Sequence, residues 1–159
     1  MHAELTATLE HTEDGVRLQT FQRSFEQICA GEDPWIALGN FMHQFFGPYK
    51  QLREELVRDP IDVPGSPSLE EFRWAVFCAA SVEYLCKKYQ LLCPPWALSQ
   101  DYTLKDPWYY GIGADLPRVQ EKLRTTTPEE FTKRNIFCGD RIYRNKYEFE
   151  GREPSRRTA

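Results

Sequence analysis

Residues 68–90 read SLEEFRWAVFCAASVEYLCKKYQ. The first four form a capping box. The Ser68 hydroxyl can accept from the Glu71 amide, and the Glu71 carboxylate can reach back to the Ser68 amide. A helix over 69–90 follows. Its apolar residues, among them Phe72, Trp74, Val76, Phe77, Val82 and Leu85, cover well over half the circumference. A helix apolar nearly all round is buried, so other elements must pack around it. Cys93-Pro94-Pro95 ends the pattern, because proline cannot continue a helix.

Upstream, residues 59–67 (DPIDVPGSP) hold three prolines and a glycine, and read as a connector. Before it the periodicity is helical. Leu18, Phe21, Phe25, Ile28 and Cys29 fall on one face of a helix over 16–30, with Gly31 as its C-terminal stop. Asp33 and Pro34 suit the N-cap and first position of a second helix. Trp35, Leu38, Phe41, Met42, Phe45 and Phe46 make its core stripe, and Gly47-Pro48 stops it. A third segment, 49–58, repeats the pattern with Tyr49, Leu52 and Leu56.

Downstream, residues 94–115 (PPWALSQDYTLKDPWYYGIGAD) carry Trp96, Tyr102, Trp108, Tyr109 and Tyr110 among three prolines and two glycines. Only short turns can form there. The aromatics either lie on the helical core or make an exposed recognition patch. A short helix over 117–124 uses Leu116, Val119 and Leu123. Thr127-Pro128-Glu129-Glu130 reads as a second capping box, starting a helix to Arg134 that Asn135 closes. In 136–143, Gly139-Asp140 is either a hairpin turn or the start of a last helix reaching Tyr147; the helix is preferred because everything before it is helical. The predicted fold is all-α: a single helical domain over 1–149 around the long buried helix. Residues 1–14 are expected to fray, and 150–159 to form a disordered tail.

A chain of 159 residues buries about 70% of its unfolded surface, enough to fold without a metal or disulfide. Net charge is −4, which argues against a general nucleic-acid binder. The charge is uneven, however: residues 133–159 hold eight bases against four acids. Lys133, Arg134, Arg141, Arg144 and Lys146 alternate there with Phe137, Tyr143 and Tyr147, a pattern able to contact phosphates and stack bases. Five cysteines, an odd number with no Cys-x-x-Cys, are no secreted disulfide framework. The N-terminus shows no signal peptide, and the run Ala75–Val82 is too short to span a membrane. A cytoplasmic location is expected.

Little catalytic chemistry is visible. Zinc needs paired ligands at short spacing, whereas His2, His11 and His43 are scattered. Gly111-Ile112-Gly113 lacks the third glycine of a dinucleotide loop, and neither a Walker loop nor a nucleophile elbow occurs. Glu70-Glu71 and Glu129-Glu130 sit in helical first turns, where acids suit the helix dipole. No catalytic residue, metal ligand or cofactor is assigned. The leading expectation is a non-catalytic protein-interaction module with contacts at Trp108, Tyr109, Tyr110, Arg134 and Asp140. One alternative is a nucleic-acid-associated regulator using 133–147, Arg141 and Arg144 included. Another is a small metal-dependent or hydrolytic enzyme whose acids converge in space.

Pro95-Trp96, Asp101-Tyr102, Asp106-Pro107-Trp108, Leu123, Thr127-Pro128, Phe131 and Arg134-Asn135-Ile136-Phe137 together carry a resemblance. The stretch 93–147 resembles a largely uncharacterised helical bacterial module, found alone or behind a helix-turn-helix domain. Genes of that type often lie beside toxin-like nucleotidyltransferases. The likeness covers about a third of the chain and rests on aromatic and turn positions. Residues 1–92 contain no convincing helix-turn-helix. The resemblance implies a bacterial setting and an antitoxin-like or accessory role, with a toxin-like nucleotidyltransferase as protein partner.

Overall fold

Thr20 sets the first helix boundary among the described residues. Its hydroxyl accepts from the Arg23 amide at 3.1 Å, and helix α1 runs Phe21–Cys29. The computed structural model describes Gly15 and residues 17–144. The expected fraying of 1–14, the tail at 150–159 and the segment 145–147 lie outside the described residues. α1 starts later than its periodicity predicts because Gln19 is held in a polar network instead. Its amide donates to Gln44 Oε1 at 2.8 Å, and its side chain donates to Ser24 Oγ and Gln27 Oε1. Gly31, at φ 103, closes α1 in the left-handed region, with the Glu32 amide donating to the Gln27 carbonyl.

Helix α2 spans Pro34–Phe46, and Asp33 caps it by accepting from the Trp35 amide at 2.8 Å. Its aromatic stripe meets α1 directly: the Phe21 and Phe41 ring centroids are 4.1 Å apart. Gly47 is obligatory where α2 stops, since a Cβ there would lie 2.6 Å from the His43 carbonyl oxygen. A 3₁₀ turn, Lys50–Leu52, leads into α3, Arg53–Arg58, which buries Leu56 and Val57.

Helix α4 spans Leu69–Lys88. Both arms of its capping box are made: the Glu71 amide donates to Ser68 Oγ at 3.0 Å, and the Ser68 amide to Glu71 Oε1 at 2.8 Å. Every residue from Trp74 to Val82 is buried, and Leu85 and Cys86 with them. Even Ser81 is internal, donating to the Phe77 carbonyl and accepting from the Tyr143 hydroxyl, each at 2.7 Å. α1 packs on one side of α4. The 3₁₀ turn Pro95–Leu98 and helix α6, Glu129–Thr132, pack on others.

The all-α expectation needs one correction. Trp108–Tyr109 (β1) pairs in parallel with Ile136–Phe137 (β2), with helix α5, Pro117–Thr126, and α6 between them in sequence. Residues 136–144 are therefore neither a hairpin nor a helix. Asn135 takes a left-handed φ of 66 and donates from Nδ2 to the Leu104 carbonyl at 2.7 Å. That turn aims the Asn135 and Phe137 carbonyls at the Trp108 and Tyr110 amides, 2.8 and 2.9 Å away. The predicted second capping box does not form either. The Thr127 hydroxyl donates to the Leu123 carbonyl at 2.6 Å and accepts from the Gly139 amide at 2.7 Å. It thus satisfies the end of α5 and the exit of β2 rather than the start of α6. The architecture is mainly helical with this small two-stranded sheet. Among the described residues, no helix is long and apolar enough to cross a membrane.

Candidate interaction site

The aromatics of the 94–115 segment are neither wholly core nor wholly surface. Trp74, on α4, is buried at 4% exposure and forms a floor. Trp35, Trp108 and Tyr110, all half-buried, stand on it with ring centroids 5.7, 5.3 and 5.7 Å away. Trp35 and Trp108 meet Trp74 edge to face, the favourable geometry for quadrupolar rings. Trp35 Nε1 donates to the Tyr110 hydroxyl at 2.6 Å, tying α2 to the residue after β1. The Arg73 guanidinium lies 5.4 Å above the Trp108 ring. Strand alternation turns Tyr109 away from this group. It stacks on Phe137 at 4.8 Å and accepts from Arg124 Nη1 at 2.8 Å.

Large exposed apolar residues neighbour the cluster in the chain. Ile36 follows Trp35, and Ile112 lies two residues past Tyr110. Leu69 precedes Arg73 by one helical turn, which puts both on one face of α4. Their exposures are 55%, 101% and 65%. Nothing among the described residues covers Ile112. Tryptophan, tyrosine and arginine at half-burial beside such residues match the composition of protein contact sites. Sequence periodicity assigned Trp35 and Trp74 to the core and passed over Ile112. The available signal was an apolar residue between two glycines, in a loop with nothing local to bury it.

The other expected contact residues fare differently. Arg134 is a buried staple, only 3% exposed. Nη1 donates to the Tyr102 carbonyl at 2.7 Å, and Nη2 to the Ala97 carbonyl at 2.6 Å and to Glu83 Oε1 at 2.8 Å. Lys133 donates to the other Glu83 oxygen at 2.6 Å. Two cations of the basic segment are therefore paired with Glu83, Arg134 in the interior and Lys133 at the surface. Asp140, Arg141 and Arg144 are exposed on the chain after β2. The structure thus brings Trp108 and Tyr110 together, places Tyr109 on the reverse of the strand, and withdraws Arg134 from the surface.

Glu83 gives this staple a pH dependence. Burial pushes its carboxyl up, but hydrogen bonds and charge from Lys133 and Arg134 outweigh that and hold it below its ordinary value. A depressed carboxyl stabilises the fold above its unfolded value of about 4.3, and that stability is lost as pH falls through the lower folded value. Glu83→Gln should therefore be less stable at neutral pH and lose less on acidification. Urea unfolding across pH 3–7 checks this, and parallel curves for both proteins would contradict it.

A recess of about 570 Å³ lies between α3 and residues 92–96, lined by Glu54, Pro60, Leu92, Cys93, Pro95 and Trp96 among others. Among the described residues, no three His, Cys, Asp or Glu side chains are grouped to hold a metal ion. No family model matches the chain, and no curated protein or solved structure matches it.

Proposed function

We propose that this chain folds as one helical domain around α4 and acts as a non-catalytic protein-interaction module. Its contact face is the aromatic shelf of Trp35, Trp108 and Tyr110 together with the exposed Ile36, Leu69 and Ile112 that neighbour it in the chain. The full exposure of Ile112, two residues along the chain from the Tyr110 that Trp35 holds by a hydrogen bond, carries this reading. An apolar loop residue next to half-buried aromatics is a group awaiting a partner surface. The resemblance of 93–147 extends the proposal to an antitoxin-like or accessory protein of the bacterial cytoplasm, with a toxin-like nucleotidyltransferase as its partner.

Ile112→Glu tests it cleanly, because a fully exposed side chain contributes almost nothing to the fold. Binding to the purified product of the neighbouring gene is measured by calorimetry. The variant should lose at least about tenfold in affinity, equivalent to about 1.4 kcal/mol, with its thermal midpoint unchanged. Trp108→Ala should lose affinity and some stability together, since its inner edge rests on Trp74. No complex with the wild-type chain, or an unaltered affinity in Ile112→Glu, sinks the proposal.

A further inference from the structure

Helix α4 ends in a reversal. Gln90 takes a left-handed conformation at φ 55, and the Leu91 amide donates to the Cys86 carbonyl at 2.8 Å. The chain doubles back along the last turn of the helix. Cys86 Sγ then lies 4.0 Å from the Leu92 carbonyl oxygen. That carbonyl belongs to the peptide leading into Cys93, whose side chain interacts with that of Cys86 and whose own thiol donates to the Pro94 carbonyl at 3.8 Å. The two sulfurs differ in access. Cys86 is 2% exposed, whereas Cys93 is half-buried and lines the 570 Å³ recess. A recess of this size admits a small-molecule thiol reagent.

We propose that Cys86 and Cys93 form a reversible intramolecular disulfide, with Cys93 as the attacking sulfur, Cys86 as the resolving sulfur and a low-molecular-weight disulfide as the oxidant. Cys93 gives its proton to solvent and attacks one sulfur of the oxidant. The oxidant's S–S bond breaks, one small thiolate leaves, and Cys93 carries a mixed disulfide. Cys86 then attacks the Cys93 sulfur, its proton passing to the departing small thiolate. The second small thiolate leaves as the Cys86–Cys93 bond forms. Two protein thiols are oxidised and one small disulfide is reduced to two thiols. The order follows from access: Cys93 lines the recess, whereas Cys86 does not and is buried. Burial pushes Cys86 up to about 12. It also raises Cys93, where the hydrogen bond from Cys86 acts in the opposite direction. The new bond would tie the end of α4 to the segment bearing Trp96, whose Nε1 already donates to the Val57 carbonyl at 3.2 Å.

The test is incubation of the full folded chain with excess oxidised glutathione, followed by alkylation, digestion and mass spectrometry. The wild type should yield peptides cross-linked between Cys86 and Cys93, two hydrogens lighter than the thiol pair and separated again by dithiothreitol. Cys86→Ala should stop at a glutathione adduct on Cys93. Cys93→Ser should leave Cys86 unmodified. Cys29 and Cys138, also partly exposed, serve as internal controls for reagent access. The wild-type result decides even where a variant fails to fold. A lasting glutathione adduct on Cys93 without the cross-link overturns the proposal, as does a Cys93 that stays reduced while Cys29 or Cys138 is modified.

Discussion

Arg134→Ala should lower the thermal midpoint by roughly 6–20 °C. The guanidinium is buried at 4% side-chain exposure, and its Nε has no hydrogen-bond partner among the described residues. Its two terminal nitrogens do the joining: the carbonyls of Ala97 and Tyr102 on one side of the contact, the Glu83 carboxylate of α4 on another. Truncation leaves the two carbonyls without this donor and leaves Glu83 with Lys133 alone. Breaking a buried ion pair by removing one partner costs about 3–5 kcal/mol. For a chain of this length each kcal/mol is about 2–4 °C of midpoint. Arg134→Lys should recover only part, because one ammonium cannot reach acceptors spread around a planar fork. Adding Glu83→Ala to Arg134→Ala should cost less than the sum of the two singles, since they share one contact. Calorimetry reads all three. A fall below about 2 °C for Arg134→Ala would show that the head group does not hold the segments together.

Phe77→Ala should destabilise by about 3–5 kcal/mol, the usual range for emptying a buried phenylalanine site. Phe77 is 1% exposed and sits where two halves of the chain meet. Its ring lies 6.0 Å from Trp35 and 5.3 Å from Trp74 on one side, and 5.5 Å from Phe131 and 6.3 Å from Tyr143 on the other. A cavity there touches α2, α6 and the segment after β2 together, and rigid helices cannot collapse to fill it. Phe77→Leu keeps most of the volume and should cost under about 1.5 kcal/mol. Urea unfolding at pH 7 checks both, and near-ultraviolet dichroism of the neighbouring rings should fall in the alanine variant. A loss below about 1 kcal/mol would mean that Phe77 is not the hub its contacts indicate.

The helical skeleton was legible because its instructions are local. The Ser68–Glu71 box, the Asp33–Pro34 start and the left-handed Gly31 each find their partners within a few residues, so spacing alone identifies them. The burial of α4 was legible for a related reason: apolar residues on every side of one helix have only one use in water. The aromatic surplus of 94–115 marked the candidate site in advance, though not how each ring is used.

What stayed out of reach depends on partners far along the chain. Thr127 has the spacing of a cap, but its hydroxyl goes to Leu123 and Gly139. β1 and β2 are two residues each, too short for any periodicity, and exist only because α5 and α6 return the chain to the right register. Arg134 looked like a surface cation in a basic run, yet its acceptors at Tyr102 and Glu83 are 32 and 51 positions away. A side chain's reach to the next helical turn is set by local geometry. The choice among distant acceptors of equal chemistry is made only when the core has closed and water has been removed from between them.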